Sequence, residues 1–170
     1  MIEVIEYDGI AYPELQARGF AAKFAFPFAR EIVSGFGCDI GCNRPEWAYV
    51  DKNGTPALMI DPEIDLVYDA MNLPPGRFDY CISSHMLEHY VGRFQDVIEY
   101  WLTKIRLGGV IFLYLPNCEY QKYWAWGNKK HIHYLTPKIM KEYCETLSVT
   151  KYFVTEGYDL NGSFYCVIEK

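Results

Sequence analysis

The segment that most constrains this chain is Gly108-Gly109 followed by Val110-Ile111-Phe112-Leu113-Tyr114-Leu115. An unbroken run of β-branched, aromatic and aliphatic residues opened by two glycines predicts a strand that is apolar on both faces. Such a strand is stable only in a sheet covered from both sides, which points to a mostly parallel α/β architecture. With 170 residues, 51% of them hydrophobic, the chain is long enough for one domain around a sizeable core.

Further strands are expected at Gly37–Ile40, Ala57–Ile60 (stopped by Asp61-Pro62), Leu66–Tyr68 (stopped by Asp69) and Phe78–Ser83. Val91, Phe94, Val97, Ile98, Trp101, Leu102 and Ile105 have the spacing of an amphipathic helix over 91–104. Thr136 and Pro137 open a second helix that runs to Leu147. Val149–Glu156 and Ser163–Glu169 are joined by a Gly- and Asn-rich turn and predict an antiparallel C-terminal pair. Tyr12 to Ser34 predicts one or two helices broken near Pro27, so residues 1–34 read as a helical cap.

The helices after the first and second sheet strands are reduced. Pro45, Asn53-Gly54 and Pro56 leave no room for one between Gly41 and Ala57, and Asp61 and Asp65 stand too close for a parallel crossover. The 51–54 turn predicts a local hairpin between Trp47–Val50 and Ala57–Ile60.

Charge and cysteine usage narrow the function classes. The formal charge is −6, from 22 acidic against 16 basic residues, so broad electrostatic binding to nucleic acid is not expected. The six cysteines form no paired knuckles, and no metal site is expected. Cys38, Cys42, Cys81 and Cys166 read as small buried hydrophobes. No leader pattern and no membrane-length apolar run is visible, so the expected setting is the reducing cytoplasm, with no disulfides. Aromatic residues make up 17% of the chain, more than the core needs. Some rings therefore line a pocket or a partner surface, and a homodimer is one such surface.

Four segments carry chemistry. Cys38-Asp39-Ile40-Gly41-Cys42-Asn43 places an acid at a strand end before a glycine turn whose N–H groups suit an anionic group. Asp61 follows about twenty residues later, the position of an acid that grips ribose hydroxyls. Asp69-Ala70 repeats the strand-end acid beside apolar neighbours able to flank a flat ring. Ser83-Ser84-His85 ends a strand at the carboxyl edge of the sheet, where open α/β sheets bind ligands.

Together these segments resemble the class I S-adenosylmethionine-dependent methyltransferase family. The resemblance rests on Asp39-Ile40-Gly41-Cys42, on Phe78-Asp79-Tyr80 through Leu87-Glu88-His89, and on Arg106-Leu107-Gly108-Gly109-Val110-Ile111-Phe112 with Leu115-Pro116-Asn117. His131-Ile132-His133-Tyr134-Leu135-Thr136-Pro137 also resembles the His-rich run before a late helix in that family. The resemblance implies a Rossmann-like methyltransferase fold with bound S-adenosylmethionine. It assigns Gly41, Cys42 and Asn43 to the methionine moiety and Asp39 to its amino end. Asp61 falls to the ribose, Asp69 and Ala70 to the adenine, and Ser83, Ser84 and His85 to the wall between cofactor and substrate. One departure is Asn43, which stands where the family's second turn glycine would be; Asn tolerates positive φ better than most residues, so the turn is expected to persist.

The histidines favour methylation of oxygen on a small-molecule or glycan-type acceptor, which needs a general base, while a nitrogen acceptor, which can do without one, stays open. His85, His131 and His133 are the candidates, and an extended 131–133 segment would put the last two on one face. His89 reads instead as a histidine packing against the sheet. Residues 118–136, with Tyr120, Tyr123, Trp124, Trp126 and Lys129-Lys130, read as a substrate lid, and Tyr7, Tyr12, Arg18 and Phe20 as a cover from the other side. The alternative on the same fold is a non-catalytic cofactor-binding or scaffold domain. A nicotinamide dehydrogenase is excluded, because Gly41-Cys42-Asn43-Arg44-Pro45-Glu46 has neither the glycines nor the helix of that site.

Overall fold

The computed structural model describes residues 3–7, 9–19, 21–119 and 130–170. The elements are β1 (Val4–Tyr7), β2 (Ile10–Pro13), α1 (Glu14–Ala17), α2 (Ala22–Ile32), β3 (Gly37–Ile40), β4 (Leu58–Ile60), β5 (Phe78–Ser84), α3 (Phe94–Lys104), β6 (Ile105–Pro116), α4 (Pro137–Cys144), β7 (Lys151–Val154) and β8 (Ser163–Glu169). Single 3-10 turns lie at Pro45–Trp47 and Leu87–His89. The main sheet has the order β4-β3-β5-β6-β8-β7. Its first four strands are parallel, and β8 runs antiparallel to both neighbours. The expected α/β class, the C-terminal antiparallel pair and the reduced helices after the first two parallel strands are all present.

β6 behaves as the glycine-led apolar run requires. Ile111, Leu113 and Leu115 pack with α3 and α4 in one core cluster, while Phe112 and Tyr114 pack with α2 in the other. Alternate residues thus meet opposite layers, and both faces of the strand are buried.

Several expectations are corrected. β1 and β2 form a separate antiparallel hairpin, so the N-terminal cap is not helical throughout. α2 passes through Pro27 without breaking; the proline is on the exposed side, while Ala25, Phe26, Ala29 and the following Val33 bury themselves against the sheet. Burial of that stripe outweighs one lost helical hydrogen bond. Leu66–Tyr68 is not a strand. Asp61, Asp65 and Asp69 each accept the N–H two residues on, at 2.8, 2.8 and 2.7 Å, and these Asx turns leave Leu66 97% exposed. The hairpin around 51–54 is reduced to one bridge, Val50 to Pro56, organised by Asp51 through the N–H groups of Asn53 and Thr55. α3 begins at Phe94, because Gly92 has φ +134 and Val91 is exposed.

All six cysteines are buried and unbridged. Among the described residues, no helix is long and apolar enough to cross a membrane.

Candidate active site

The strand order reverses beside β3: the chain passes from β3 to β4 on one side, then returns to β5 on the other. The carboxyl ends of β3, β4 and β5 diverge there and open a crevice. Two cavities fill it. The larger, about 560 Å³, is lined by Asp39, Gly41, Trp47, Ser84, His85 and Glu88 among others. The smaller, about 400 Å³, is mostly apolar and is walled by Asp61, Asp69, Ala70, Met71, Met86 and Tyr90 with their neighbours. Gly41 and His89 line both. The site therefore has a polar and an apolar compartment with a shared threshold.

Gly41 is the pivot. Its φ is +90, and a Cβ there would stand 2.7 Å from Met86 Cβ and Cγ. Only glycine fits that conformation and that approach. Its N–H donates to the Ile60 carbonyl at 2.8 Å, which ties the turn to β4. Asn43 lines the larger cavity but does not share the positive φ expected for it; its amide donates instead to Glu63 Oε2 at 2.8 Å. Trp47 forms a wall, with the Arg44 guanidinium 4.4 Å above its ring.

Asp39 is almost fully buried at the tip of β3 and accepts the Tyr49 N–H at 2.8 Å. Burial pushes its carboxyl up to about 7, against the opposing pull of the Tyr49 amide and the Cys42 thiol. Cys42 is itself raised to about 12, first by burial and then by the Asp39 charge, so it stays a thiol. Asp61 has one oxygen in its Asx turn, and Asp69 likewise. The Ala70 carbonyl is held by the indole N–H of the buried Trp101 at 2.7 Å.

The residues expected after β5 separate. Ser83 lines neither cavity: its hydroxyl donates to the Ile40 carbonyl at 2.8 Å and cross-links β5 to β3. Ser84 and His85 line the larger cavity. His85 is the one described non-glycine residue with positive φ, at +50. Its Nε2 is 2.9 Å from Ser163 Oγ and its Nδ1 3.5 Å from Glu88 Oε1. Burial, then the neighbouring His131 and His89, holds it down to about 3.

His131 is buried in the same cavity, with Nε2 3.5 Å from the Tyr12 hydroxyl and 4.0 Å from Glu88 Oε1. His133 is not there. Its Nε2 is 2.9 Å from the Tyr90 carbonyl and its ring meets Phe94 edge-on, so the two imidazoles do not share a face. The reason is local: the N–H groups of Ile132 and His133 both converge on the Glu88 carbonyl, at 2.8 and 3.2 Å, and the segment bends instead of extending.

Sequence reasoning missed Glu88 as a site residue. Its side chain is fully buried among His85, His89 and His131, and burial raises it to about 8. His89, expected to pack on the sheet, instead faces both cavities. Of the expected covers, Tyr12, Arg18 and Lys130 line the larger cavity. Phe20, the Tyr7 side chain and residues 120–129, most of the expected lid, lie outside the described residues.

No family model matches the chain, and no curated protein matches it. Solved structures do. A SAM-dependent methyltransferase from Archaeoglobus fulgidus superposes with a TM-score of 0.65 at 15% identity, covering 92% of this chain and 97% of the other. A SAM-dependent methyltransferase from Thermotoga maritima gives 0.63 at 15% identity, over 92% and 94%. The plantazolicin methyltransferase, solved with S-adenosylhomocysteine, gives 0.57 at 11% identity, over 92% and 86%. This chain has the Rossmann-like fold of the class I SAM-dependent methyltransferases.

Proposed function

We propose that this protein transfers the methyl group of S-adenosylmethionine to a hydroxyl of a small polar acceptor, glycan-type acceptors included. The observation that carries the reading is the pair of cavities, one polar and one apolar, meeting at Gly41 and His89 on the carboxyl edge of the sheet. The residues suit the cofactor. The apolar compartment offers Ala70 and Met71 to an adenine ring and Asp61 to ribose hydroxyls, while the buried Asp39 carboxyl at the polar side suits an ammonium group. The Gly41 backbone, bare of a side chain, admits a close approach between them.

When bound, S-adenosylmethionine supplies a methyl group already activated by its sulfonium. The chain then has two tasks, alignment and removal of a proton. Ser84 and His85 form the wall beside the acceptor. His85, kept neutral by its burial, offers its imidazole to the hydroxyl proton, and the Glu88 carboxyl stands 3.5 Å behind it. His131, on the other side of Glu88, orients the acceptor oxygen. The resemblance of fold to proteins named as SAM-dependent methyltransferases supports the choice of cofactor.

The test is calorimetric titration with S-adenosylhomocysteine, followed by transfer of labelled methyl from S-adenosylmethionine to a panel of hydroxyl and amine acceptors. Binding that is lost in Asp61→Ala, with turnover on hydroxyls, is the expected result. No binding by the unaltered protein overturns the proposal. Tight binding without turnover on any acceptor replaces it with the scaffold reading.

A further inference from the structure

Glu88, His89 and His131 each present a ligand atom within 4.8 Å of the others. The Glu88 side chain is fully buried, and neither oxygen accepts a hydrogen bond from another described residue. A buried carboxyl group in that condition is costly unless a donor or a cation meets it. The imidazoles come near without bonding: His89 Nε2 is 3.7 Å and His131 Nε2 4.0 Å from Glu88 Oε1. These separations exceed hydrogen bonds. They approach the spacing of atoms sharing one ion, since ligands about 2.1 Å from a tetrahedral zinc stand roughly 3.4 Å apart.

The surroundings orient the ligands. His89 Nδ1 is 3.0 Å from the Lys130 carbonyl. A carbonyl only accepts, so Nδ1 carries the proton and a neutral ring turns the Nε2 lone pair toward Glu88. Metal-binding imidazoles are commonly fixed through such an outer hydrogen bond. The His131 segment is fastened by the two N–H groups that converge on the Glu88 carbonyl. His85-x-x-Glu88-His89 is not laid out on one helical face, because His85 has φ +50 and Glu88 sits in a single 3-10 turn. The second imidazole comes from His131, more than forty positions on.

We propose that Glu88, His89 and His131 bind one divalent transition-metal ion of the zinc class at the acceptor end of the larger cavity. Two imidazole nitrogens and one carboxylate oxygen suit zinc, cobalt(II) or iron(II), whereas calcium and magnesium call for oxygen ligands. Three protein ligands leave a position open. Resting on the methyltransferase reading, that position holds the acceptor's hydroxyl oxygen and acidifies it, and the released proton passes to His85.

The experiment titrates the chelator-treated intact chain with Co²⁺, with neither cofactor nor acceptor present, and follows visible d–d absorption and heat. Saturation at about one ion per chain, with displacement by Zn²⁺, is expected. Affinity falls at least about 100-fold in Glu88→Gln, His89→Ala and His131→Ala, and is unchanged in His133→Ala. His89 has a 36% exposed side chain, so His89→Ala removes a ligand without emptying the core, and its thermal transition verifies folding. No saturable binding by the unaltered protein, or binding that survives both His89→Ala and His131→Ala, overturns the site. A parallel S-adenosylhomocysteine titration separates the two proposals. Cofactor binding without Co²⁺ binding refutes only the metal, and Co²⁺ binding without cofactor binding refutes only the methyltransferase.

Discussion

The Asp39 carboxylate accepts the Tyr49 backbone N–H at 2.8 Å beneath the wall of the larger cavity. This bond ties the tip of β3 to the backbone two residues past the first 3-10 turn. It also couples the site to pH. Asp39 titrates at about 7 because it is buried. An ammonium group binding beside it favours the ionised form, so binding releases a proton below that value. Affinity for S-adenosylhomocysteine is therefore expected to climb by up to about tenfold per pH unit below about 7 and then level off. Calorimetry across that range checks this, and Asp39→Asn is expected to flatten the curve. The stability of the ligand-free protein moves the opposite way: a carboxyl with a raised folded value contributes most below about pH 4 and loses that contribution as pH rises through about 7.

Gly41→Ala tests the threshold between the cavities. The new Cβ meets Met86 at 2.7 Å in a backbone conformation of φ +90. The variant is expected to lose about 1–3 kcal/mol of stability and most of its cofactor affinity. Urea unfolding and ligand titration measure the two effects separately.

Trp101→Phe addresses the apolar cavity from behind. The indole N–H holds the Ala70 carbonyl at 2.7 Å, and the ring is fully buried. Removing the donor and part of the ring is expected to cost about 1–3 kcal/mol in denaturant unfolding. Weaker nucleoside binding accompanies it, because the Asp69–Asn72 turn is no longer pinned. Unchanged nucleoside affinity in a destabilised variant would show that this turn does not touch the ligand.

His85 and His133 form a contrast pair. His85→Ala is expected to lower kcat by about 10²–10⁴-fold on a hydroxyl acceptor while cofactor affinity holds. His133→Ala leaves kcat within about twofold and costs about 1 kcal/mol, the worth of its bond to the Tyr90 carbonyl. Steady-state kinetics with thermal melts distinguishes the two.

What the sequence disclosed follows from the range of the forces involved. β3, β5, β6 and β8 were legible because runs such as Val110–Leu115 announce burial on both faces by composition alone. The segment at Leu66–Tyr68 has the same strand-like composition, but three aspartates compete for its backbone, and those local bonds win where Leu66 and Val67 are left exposed. The acids at 39 and 61 were found from strand-end chemistry and Asp69 from a strand that does not form; all three border the crevice. Glu88 stood in the matched Leu87-Glu88-His89 stretch, but its place in the site did not show, because its burial depends on contact with a segment more than forty residues away. His133 was misread for the same reason: alternation implies one shared face only in an extended chain, and the Glu88 carbonyl bends this one.

That carbonyl has a wider consequence. One main-chain oxygen secures the strip that carries His131, while the side chain of the same residue faces the His131 ring. This part of the larger cavity's wall is thus a single mechanical unit. An N-methyl or proline replacement at 132 or 133, which deletes an amide and no side chain of the cavity, would displace His131 as surely as mutating it. Reshaping this cavity therefore begins with the backbone of that strip, before any side chain on its surface.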